Sequence, residues 1–323
     1  MRAITVLEPG GPEVMVLGEV PDPQPAVGEV LISVQASGVN RADILQRRGY
    51  YPPPQGISEI IGLEVAGVVE AANGTTAFKP GDTVIALLAG GGYAEKAVAP
   101  AGQCAPIPAG LDMIQAAAIM ETAATVASNF DHINLVPGET ILIHGGAGGV
   151  GTFAIPYAKY IGLTVVTTVG SETKAEFVRG LGADVTIDYH GDWATEVLHA
   201  TDGRGVDAIL DIMGAKYLEA NVALLARGGR MTVIGLQGGT KGTLDLNRLL
   251  SKAATVTATS LRFRPVPEKV KIVSEVIARI WPLFEAGTIP LPPMTTFPLA
   301  NAAAAHAHLD SGANVGKVVL TAQ

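Results

Sequence analysis

The chain has 323 residues, of which 48% are hydrophobic and 16% charged, and its formal net charge is −8. This composition excludes a disordered chain, and the acidic balance without a lysine or arginine cluster argues against nucleic-acid binding. The single cysteine, Cys104, excludes an intrachain disulfide and a thiolate-rich zinc site. Because we find no signal-peptide core and no apolar stretch of about 18 residues, we expect a cytoplasmic protein with no membrane partner.

The first part of the chain, to about residue 120, has the texture of an all-β domain. Short alternating or β-branched runs are separated by turns rich in proline and glycine, which is typical of a small barrel or sandwich. The predicted strands are 3–7, 29–36, 64–71 and 83–88. One helix is predicted over 40–48, where Asn40 can act as the N-cap and Leu45 can face the core.

From about residue 122 the pattern changes to alternating strands and helices. Nearly uninterrupted apolar strands that alternate with helices predict an α/β fold, a doubly wound parallel sheet covered by helices on both faces. We expect strands at 140–144, 164–169, 184–188, 206–212, 230–235 and 255–260, and helices at 149–161, 173–181 and 216–225.

The last part of the chain is predicted to complete the first domain. Helices are expected at 268–285 and 299–309, and a final strand at 317–320 is expected to return to an earlier sheet. The predicted organisation is therefore a discontinuous β-rich catalytic domain and a nucleotide-binding domain, with boundaries at 1–122 plus 261–323 and at 123–260.

A glycine-rich loop after the first strand of the second domain gives the sharpest signal. It satisfies G-x-G-x-x-G, follows a strand and opens a helix, which is the context that dinucleotide binding requires. Gly146 is expected to allow the tight turn, Gly148 the approach of a pyrophosphate, and Gly151 the close packing of helix on strand. The helix N-terminus would offer unpaired N–H groups to the phosphates. The predicted loop is Gly146, Ala147, Gly148, Gly149, Val150 and Gly151.

The end of the second strand of this domain favours NADP over NAD. NAD sites usually place an acidic residue here, whereas this chain has Gly170 and Ser171. Ser171 can donate a hydrogen bond to a 2′-phosphate, Lys174 can neutralise it, and Tyr189 can flank the same pocket. Two observations point the other way: Glu172 would repel a phosphate if it pointed inward, and Lys174 could be an ordinary solvated lysine.

Six stretches in a specific order and spacing carry a resemblance that covers the whole chain: GVNRADILQRRGYYPPP (38–54), GLEVAGVV (62–69), FKPGDTVIALL (78–88), HGGAGGVG (144–151), RGGRMTVIGLQGG (227–239) and NVGKVVL (314–320). Together they resemble the zinc-independent quinone oxidoreductases of the medium-chain dehydrogenase/reductase family, most closely the stress-inducible NADPH-dependent branch. The resemblance implies a GroES-like catalytic domain, a Rossmann domain, and a nicotinamide in the cleft between them.

No metal is expected. Zinc-dependent relatives carry Cys where this chain has Asn40 and His where it has Leu63, and the second Cys ligand is missing. The histidines form no plausible ligand set, since His306 and His308 lie two apart on a predicted helix and face different sides. Without an ion to polarise an alcohol, an electron-poor acceptor such as a quinone or an activated alkene is favoured, because hydride can add to it directly.

Asn40, Asp43 and Tyr51 are the catalytic candidates. Asn40 would donate its amide to the acceptor carbonyl or to the cofactor ribose, although asparagine is also a good helix cap. The resemblance places Asp43 near the cleft, but an orienting ion pair with Arg47 or Arg48 is as good an explanation as a chemical role. Tyr51 matches a cleft-lining tyrosine of the family, and half-buried packing is its alternative.

Further cofactor contacts are assigned by the resemblance or by position. The resemblance places Thr125 near the cofactor phosphate and Lys317 at the edge of the cleft, where a solvated lysine is the alternative. Segments that follow the fifth and sixth strands should meet the nicotinamide end of the cofactor at Gly235, Leu236, Leu261 and Phe263. The strand at 255–260 has an unprotected edge, which joins two sheets in the resembled family, so we expect a homodimer or a tetramer.

The function predicted from these observations is NADPH-dependent reduction of a quinone. An alkenal, enone or enoyl-thioester double-bond reductase would use the same scaffold and differ only in its pocket. A thioester substrate needs a basic groove, and Arg47 with Arg48 is the only adjacent pair of basic residues near the expected site. A non-catalytic NADPH-binding protein is the alternative from another class.

Overall fold

The computed structural model describes residues 1–322, and its internal contacts divide the chain into two compact units. The first unit contains Met1–Ala124, Leu261–Gly287 and the residues from Leu291 onward, and the second contains Thr125–Ser260 with Thr288–Pro290. Within the described residues, no helix has both the length and the apolar character that crossing a membrane requires.

The elements of the first part of the chain are, in order, β1 (Arg2–Val6), β2 (Met15–Glu19), β3 (Glu29–Val39), α1 (Arg41–Arg47), β4 (Glu64–Asn73), β5 (Thr83–Leu87), β6 (Lys96–Pro100), β7 (Cys104–Pro106), α2 (Met113–Ala116) and α3 (Met120–His132). The sheet is centred on the long strand β3, which pairs in antiparallel fashion with both β4 and β6. Alternate residues of β3, Val30, Ile32 and Val34, are buried in the core between these strands.

The second unit alternates strands and helices: β8 (Thr140–Ile143), α4 (Gly149–Tyr160), β9 (Thr164–Val169), α5 (Glu172–Gly180), β10 (Val185–Asp188), α6 (Trp193–Ala200), β11 (Val206–Asp211), α7 (Leu218–Leu224), β12 (Leu225–Val233), α8 (Leu246–Lys252) and β13 (Thr255–Ala258). The strands are parallel in the order β10-β9-β8-β11-β12-β13, which confirms the predicted sheet. The order reverses between β8 and β11, and such switch points are where open α/β sheets bind ligands.

The last elements are α9 (Val266–Arg279), α10 (Trp281–Glu285), β14 (Met294–Pro298), α11 (Ala302–Asp310) and β15 (Lys317–Thr321). β15 pairs with β14 in parallel and with β3 in antiparallel fashion, so the predicted return of the last strand to an earlier sheet is confirmed. In this register Val318 lies opposite Val39, which brings Lys317 close to Asn40.

Three local predictions differ from the structure. The helix predicted over 268–285 is two helices, because Pro282 has no N–H to continue the first one. In α1, Ile44 is fully buried, whereas Leu45, predicted to face the core, is only half-buried. The strands β2, β6, β7 and β14 were not predicted, because they are short and each of them contains a proline or a glycine.

Candidate active site

The glycine-rich loop connects β8 to α4. Its tight turn depends on Gly145, whose φ of 73° lies in the left-handed region, and not on Gly146 as the motif suggested. Gly146 is needed for a different reason, because a Cβ there would collide with the Thr167 hydroxyl. A Cβ on Gly151 would collide with the Gly146 backbone, so the missing side chain lets α4 pack closely on the loop.

The N-terminus of α4 is open. Gly148 is its N-cap, and no side-chain hydrogen bond caps the helix. The Thr152 N–H donates to Gly148 O at 2.9 Å, so within the described chain the N–H groups of residues 149–151 have no backbone acceptor. A Cβ on Gly148 would meet only Gly145 O, at 3.4 Å. Unpaired donors, the positive end of the helix dipole and open space therefore coincide, which suits a pyrophosphate.

The segment after β9 places the expected 2′-phosphate residues at the start of α5. Ser171 is the N-cap of α5, and its Oγ accepts the Lys174 N–H at 3.3 Å. Partial burial lowers the pKa of the Lys174 ammonium. Glu172, the residue that argued against NADP, forms an ion pair with Arg179 at 2.7 Å. The Glu172 charge is therefore balanced within α5 itself.

Tyr189 follows β10 and lies over Gly170. A Cβ on Gly170 would collide with the Tyr189 hydroxyl, so the tyrosine ring takes the space that a side chain at position 170 would need. This is the position from which an acidic residue holds the ribose in NAD enzymes. An aspartate or glutamate there would have to displace the ring of Tyr189.

The cofactor candidates of the second unit follow the carboxyl ends of its strands. Because the strands are parallel, these ends meet at one edge of the sheet. The candidates at this edge are Gly146, Ala147, Gly148, Gly149, Val150, Gly151, Ser171, Lys174, Tyr189, Gly235 and Leu236. Thr125 lies on α3 instead, where its carbonyl accepts a hydrogen bond from Asn129 Nδ2 at 2.8 Å. Leu261, Phe263 and Lys317 belong to the first unit.

Asn40 lies at the end of β3 in a buried polar cluster of the first unit. Lys317 Nζ donates to both Asn40 Oδ1 and Glu64 Oε1, each at 2.6 Å. Asn40 Nδ2 donates to Glu64 Oε1 at 3.0 Å, and the Glu121 N–H donates to Glu64 Oε2 at 2.9 Å. The side chains of Lys317 and Glu64 are 2% and 0% exposed. Lys317 is therefore not a solvated lysine, and Glu64 is a member of the cluster that sequence reasoning missed.

Gly38 shows how tightly this cluster is enclosed. A Cβ on Gly38 would collide with the Glu64 carboxylate and with the carbonyl of Ala117. The glycine thus leaves the space that the buried carboxylate occupies. Asn40 is the N-cap residue of α1, as predicted, and the Asp43 carboxylate accepts its backbone N–H. The side-chain amide of Asn40 is oriented by Lys317 and Glu64.

Asp43 is buried in the first turn of α1, and its carboxylate holds the backbone of Asn40. Its Oδ2 accepts the Asn40 N–H at 2.7 Å and the Tyr93 hydroxyl at 3.1 Å, while its Oδ1 has no partner among the described residues. Burial raises the pKa of the Asp43 carboxyl to about 7. Arg47 and Arg48 both pair with Asp310, each at 3.0 Å, so the alternative role of Asp43, an ion pair with one of these arginines, is not found.

A chain of buried hydrogen bonds extends from Asp43 on α1 through Tyr93 to His306 on α11. The Tyr93 hydroxyl lies 3.0 Å from His306 Nε2, and Arg47 lies 3.2 Å from His306 Nδ1. A guanidinium only donates, so Nδ1 accepts and Nε2–H donates to the Tyr93 oxygen. Tyr93 then donates to Asp43. Burial and the nearby Arg47 charge lower the pKa of His306 to about 3, which keeps the imidazole neutral.

Tyr51 is held by the segment that follows Leu261. Its ring packs edge-on against Phe263 with centroids 5.3 Å apart, and the Arg262 guanidinium lies 5.2 Å from the ring centre. Arg262 also donates to Tyr51 O at 3.0 Å and to Gln46 Oε1 at 2.8 Å. Both of these hydrogen bonds lie inside the first unit.

Two family models match the chain. The model described as "Alcohol dehydrogenase GroES-like domain" matches residues 26–109, and the one described as "Zinc-binding dehydrogenase" matches residues 149–279. Quinone oxidoreductase of Pseudomonas aeruginosa is 36% identical over 318 residues, which cover 96% of each chain. The chain belongs to the medium-chain dehydrogenase/reductases, in the quinone oxidoreductase family. It is an oxidoreductase with a GroES-like domain and a Rossmann-like parallel sheet.

Other relatives of this oxidoreductase differ in substrate and cofactor. The 2-haloacrylate reductase of a Burkholderia species is 31% identical over 100% of this chain and 99% of its own. The crystal structure of Escherichia coli quinone oxidoreductase complexed with NADPH has a TM-score of 0.91 at 30% identity, with 99% and 100% of the two chains covered. A structure described as an NAD-dependent alcohol dehydrogenase has a TM-score of 0.87 at 31% identity, with both chains fully covered.

The residues of this oxidoreductase do not fit a zinc ion, despite the name of the second family model. Asn40 Oδ1 accepts a hydrogen bond from Lys317, Leu63 is apolar, and the nearest carboxylate, Glu64, is already paired with that lysine. Cys104 is buried in β7. Among residues 1–322, no group of three or more His, Cys, Asp or Glu side chains could hold a metal ion.

Proposed function

We propose that this oxidoreductase uses NADPH to reduce a quinone by transfer of hydride, or of single electrons, without a metal ion. The observation that carries the proposal is the start of α5, where Ser171 and Lys174 stand in place of an acid. The ion pair of Glu172 with Arg179 removes the main objection to a phosphate at this position. The open N-terminus of α4 supports a pyrophosphate on the same edge of the sheet.

NADPH, when bound, supplies the reducing equivalents. In the proposed site the residues of this chain bind the cofactor, orient it and exclude competing reactions. The loop at 146–151 and Thr125 hold the phosphates, and Ser171, Lys174 and Tyr189 hold the 2′-phosphate. In the second unit the nicotinamide end is assigned to Gly235 and Leu236. The cofactor contacts of Leu261, Phe263 and Lys317, which belong to the first unit, stay predictions.

Asn40 is the proposed partner of the acceptor carbonyl or of the cofactor ribose. Its side chain is held from two sides, since Lys317 donates to the amide oxygen and Glu64 accepts from the amide nitrogen. Its backbone is held by Asp43. An amide fixed in this way keeps one N–H in a defined direction, which is how positioning contributes to rate. Because Asp43 Oδ2 already accepts two hydrogen bonds, a proton on this carboxyl resides on Oδ1.

A second candidate is reduction of an activated alkene that carries a carboxylate. Arg262 is a buried guanidinium, and its hydrogen bonds to Ala89 O, Tyr51 O and Gln46 Oε1 all go to neutral oxygens. Its charge is not balanced by a contacting carboxylate in the part of the chain described. An anionic alkene, like the substrate named for the haloacrylate-reducing relative, would gain from such a charge next to Tyr51.

The test is a set of NADPH-oxidation assays with 1,4-benzoquinone, 2-cyclohexenone, 2-chloroacrylate and crotonyl-coenzyme A, with NADH as the cofactor control. The proposal expects the quinone to be turned over fastest, and turnover to survive dialysis against a chelator. Preference for 2-chloroacrylate would favour the second candidate. Tight NADPH binding without turnover of any acceptor would instead indicate a binding protein.

Replacement of Lys174 by alanine tests the NADP assignment. We expect the KM for NADPH to rise by about tenfold or more, because a hydrogen bond to a charged group is worth about 1.5–3 kcal/mol. The KM for NADH should change by less than about twofold, since NADH has no 2′-phosphate. Lys159→Ala, which removes a lysine paired with Asp184 at the end of α4, is the control and should affect neither value. Equal losses with both cofactors would contradict the assignment.

Cytoplasmic location and assembly into a homodimer or tetramer through 255–260 stay predictions. β13 (Thr255–Ala258) is the last strand in the order of the sheet, and its residues are exposed or half-buried in the single chain. An open edge of this kind can pair with a second copy. Sedimentation of the wild-type chain beside a Thr257→Pro variant would test the pairing.

A further inference from the structure

His144 is a buried residue that immediately precedes the glycine-rich loop in the chain, and no part of the proposed chemistry uses its imidazole. Only 1% of its surface is exposed. Its ring is enclosed by the edges or faces of Trp193 and Tyr217, with centroids 5.1 and 5.0 Å away. Burial lowers the pKa of His144 to about 4, so the ring is neutral in ordinary buffers.

The two ring nitrogens of His144 have fixed and different roles. Nε2 lies 2.8 Å from Asn221 Oδ1, an acceptor, so Nε2 carries the hydrogen. In a neutral ring Nδ1 is then an acceptor, and its neighbour at 3.1 Å is the hydroxyl of Thr168. The Thr168 hydrogen therefore points at the histidine. This leaves the lone pairs of the Thr168 oxygen directed elsewhere.

The hydroxyl oxygen and the carbonyl oxygen of Thr168 each accept a hydrogen bond from the start of the glycine-rich loop. The Gly145 N–H donates to Thr168 Oγ1 at 3.2 Å, and the Gly146 N–H donates to Thr168 O at 3.0 Å. One residue at the end of β9 thus holds two successive N–H groups of the loop that follows β8. Gly145 is also the residue with the left-handed backbone, and because glycine has many accessible conformations, the hydrogen bond to Thr168 selects this one.

We propose that His144 and Thr168 are positioning residues for the dinucleotide: His144 fixes the direction of the Thr168 hydroxyl, and Thr168 holds the loop in the shape that receives the pyrophosphate. Asn221 completes the set by fixing which nitrogen of His144 carries the hydrogen. The inference rests on the proposed binding of NADPH at residues 146–151. None of the three side chains is required to touch the cofactor.

The test compares variants that keep or remove single polar atoms. Thr168→Val removes the hydroxyl at nearly constant shape, and Thr168→Ser retains it. His144→Phe removes both ring nitrogens, and His144→Asn retains a polar atom near the position of Nδ1. Thr140→Val is the matched control, because Thr140 is a buried threonine at the opposite end of β8 whose hydroxyl accepts from Arg204. For each variant the Kd for NADPH is measured without acceptor, together with KM, kcat and Tm.

We expect Thr168→Val to raise the Kd and KM for NADPH about tenfold with kcat changed less than about twofold, as for loss of one hydrogen bond that shapes the site. Thr168→Ser should restore most of the affinity. His144→Phe should weaken binding and His144→Asn should weaken it less. Thr140→Val should lower Tm without changing the Kd, which is the signature of a merely structural threonine.

Unchanged NADPH affinity in folded Thr168→Val and His144→Phe would overturn the positioning role while leaving the proposed cofactor intact. If Thr168→Val does not fold, two comparisons still test the positioning role: Thr168→Ser with the wild type, and His144→Asn with His144→Phe. Failure of the wild-type chain to bind NADPH would instead remove the proposed function itself. The two failures are therefore distinguished by the wild-type measurement.

Discussion

Replacement of Lys317 by methionine is expected to lower the free energy of unfolding by about 3–5 kcal/mol, because it leaves the Glu64 carboxylate buried without its partner. The ammonium is only 2.6 Å from both Glu64 and Asn40, and none of these side chains is open to solvent that could replace it. The remaining donors to Glu64 are one amide and one backbone N–H. Chemical denaturation monitored by tryptophan fluorescence measures the change.

Lys269→Met is the matched control for this substitution. Lys269 is also buried, but its ammonium donates to the carbonyl of Arg262 and forms no ion pair within residues 1–322. Its removal leaves no unpaired anion, so a much smaller loss is expected. The double variant Lys317→Met with Glu64→Gln should regain much of the stability, since both charges are then absent. A loss in Lys317→Met no larger than in Lys269→Met would contradict the account.

The parts of the fold that the sequence predicted correctly are those with local causes. The strand, turn and helix around Gly145–Gly151 lie within one short segment, and the order of the parallel strands follows from repeated alternation of strand and helix. The break at Ile280 was missed although Pro282 was visible, because the apolar spacing on both sides suggested a single helix. A short strand such as β7 has too few residues for any alternation to be read.

The candidate site was only partly predictable, because its partners are far apart in the chain. Lys317 reaches Asn40 across 277 positions, and only the family resemblance suggested it. Glu64 was visible as a lone acid at the start of an apolar strand, which is the signal that could have revealed it. Tyr93 and His306 lie 213 positions apart, in a glycine-rich turn and an alanine-rich helix. No local pattern points from either one to the other.

The buried chain from Asp43 to His306 makes two opposite contributions to stability against pH. The pKa of Asp43 is raised from 3.8 to about 7, so the folded state binds a proton more readily, and this contribution is lost as pH rises from about 4 to 7. The pKa of His306 is lowered from 6.5 to about 3, so its contribution grows as pH rises from about 3 to 6.5. In the wild type the two slopes largely cancel between about pH 4 and 6.5.

Asp43→Asn is therefore expected to become more stable relative to the wild type as pH rises. The gain should be roughly 4 kcal/mol between about pH 4 and 7, because each unit of pKa difference is worth about 1.4 kcal/mol. The asparagine oxygen can still accept the Asn40 N–H and the Tyr93 hydroxyl.

His306→Gln should show the opposite trend, with stability relative to the wild type falling over about pH 3 to 6.5. Tyr93→Phe removes a hydrogen bond that favours the Asp43 carboxylate, so it should move the upper end of the Asp43 window above pH 7. Urea unfolding of all four chains across this range measures the differences, and curves that stay parallel to the wild type would show that neither group is held in the uncharged form.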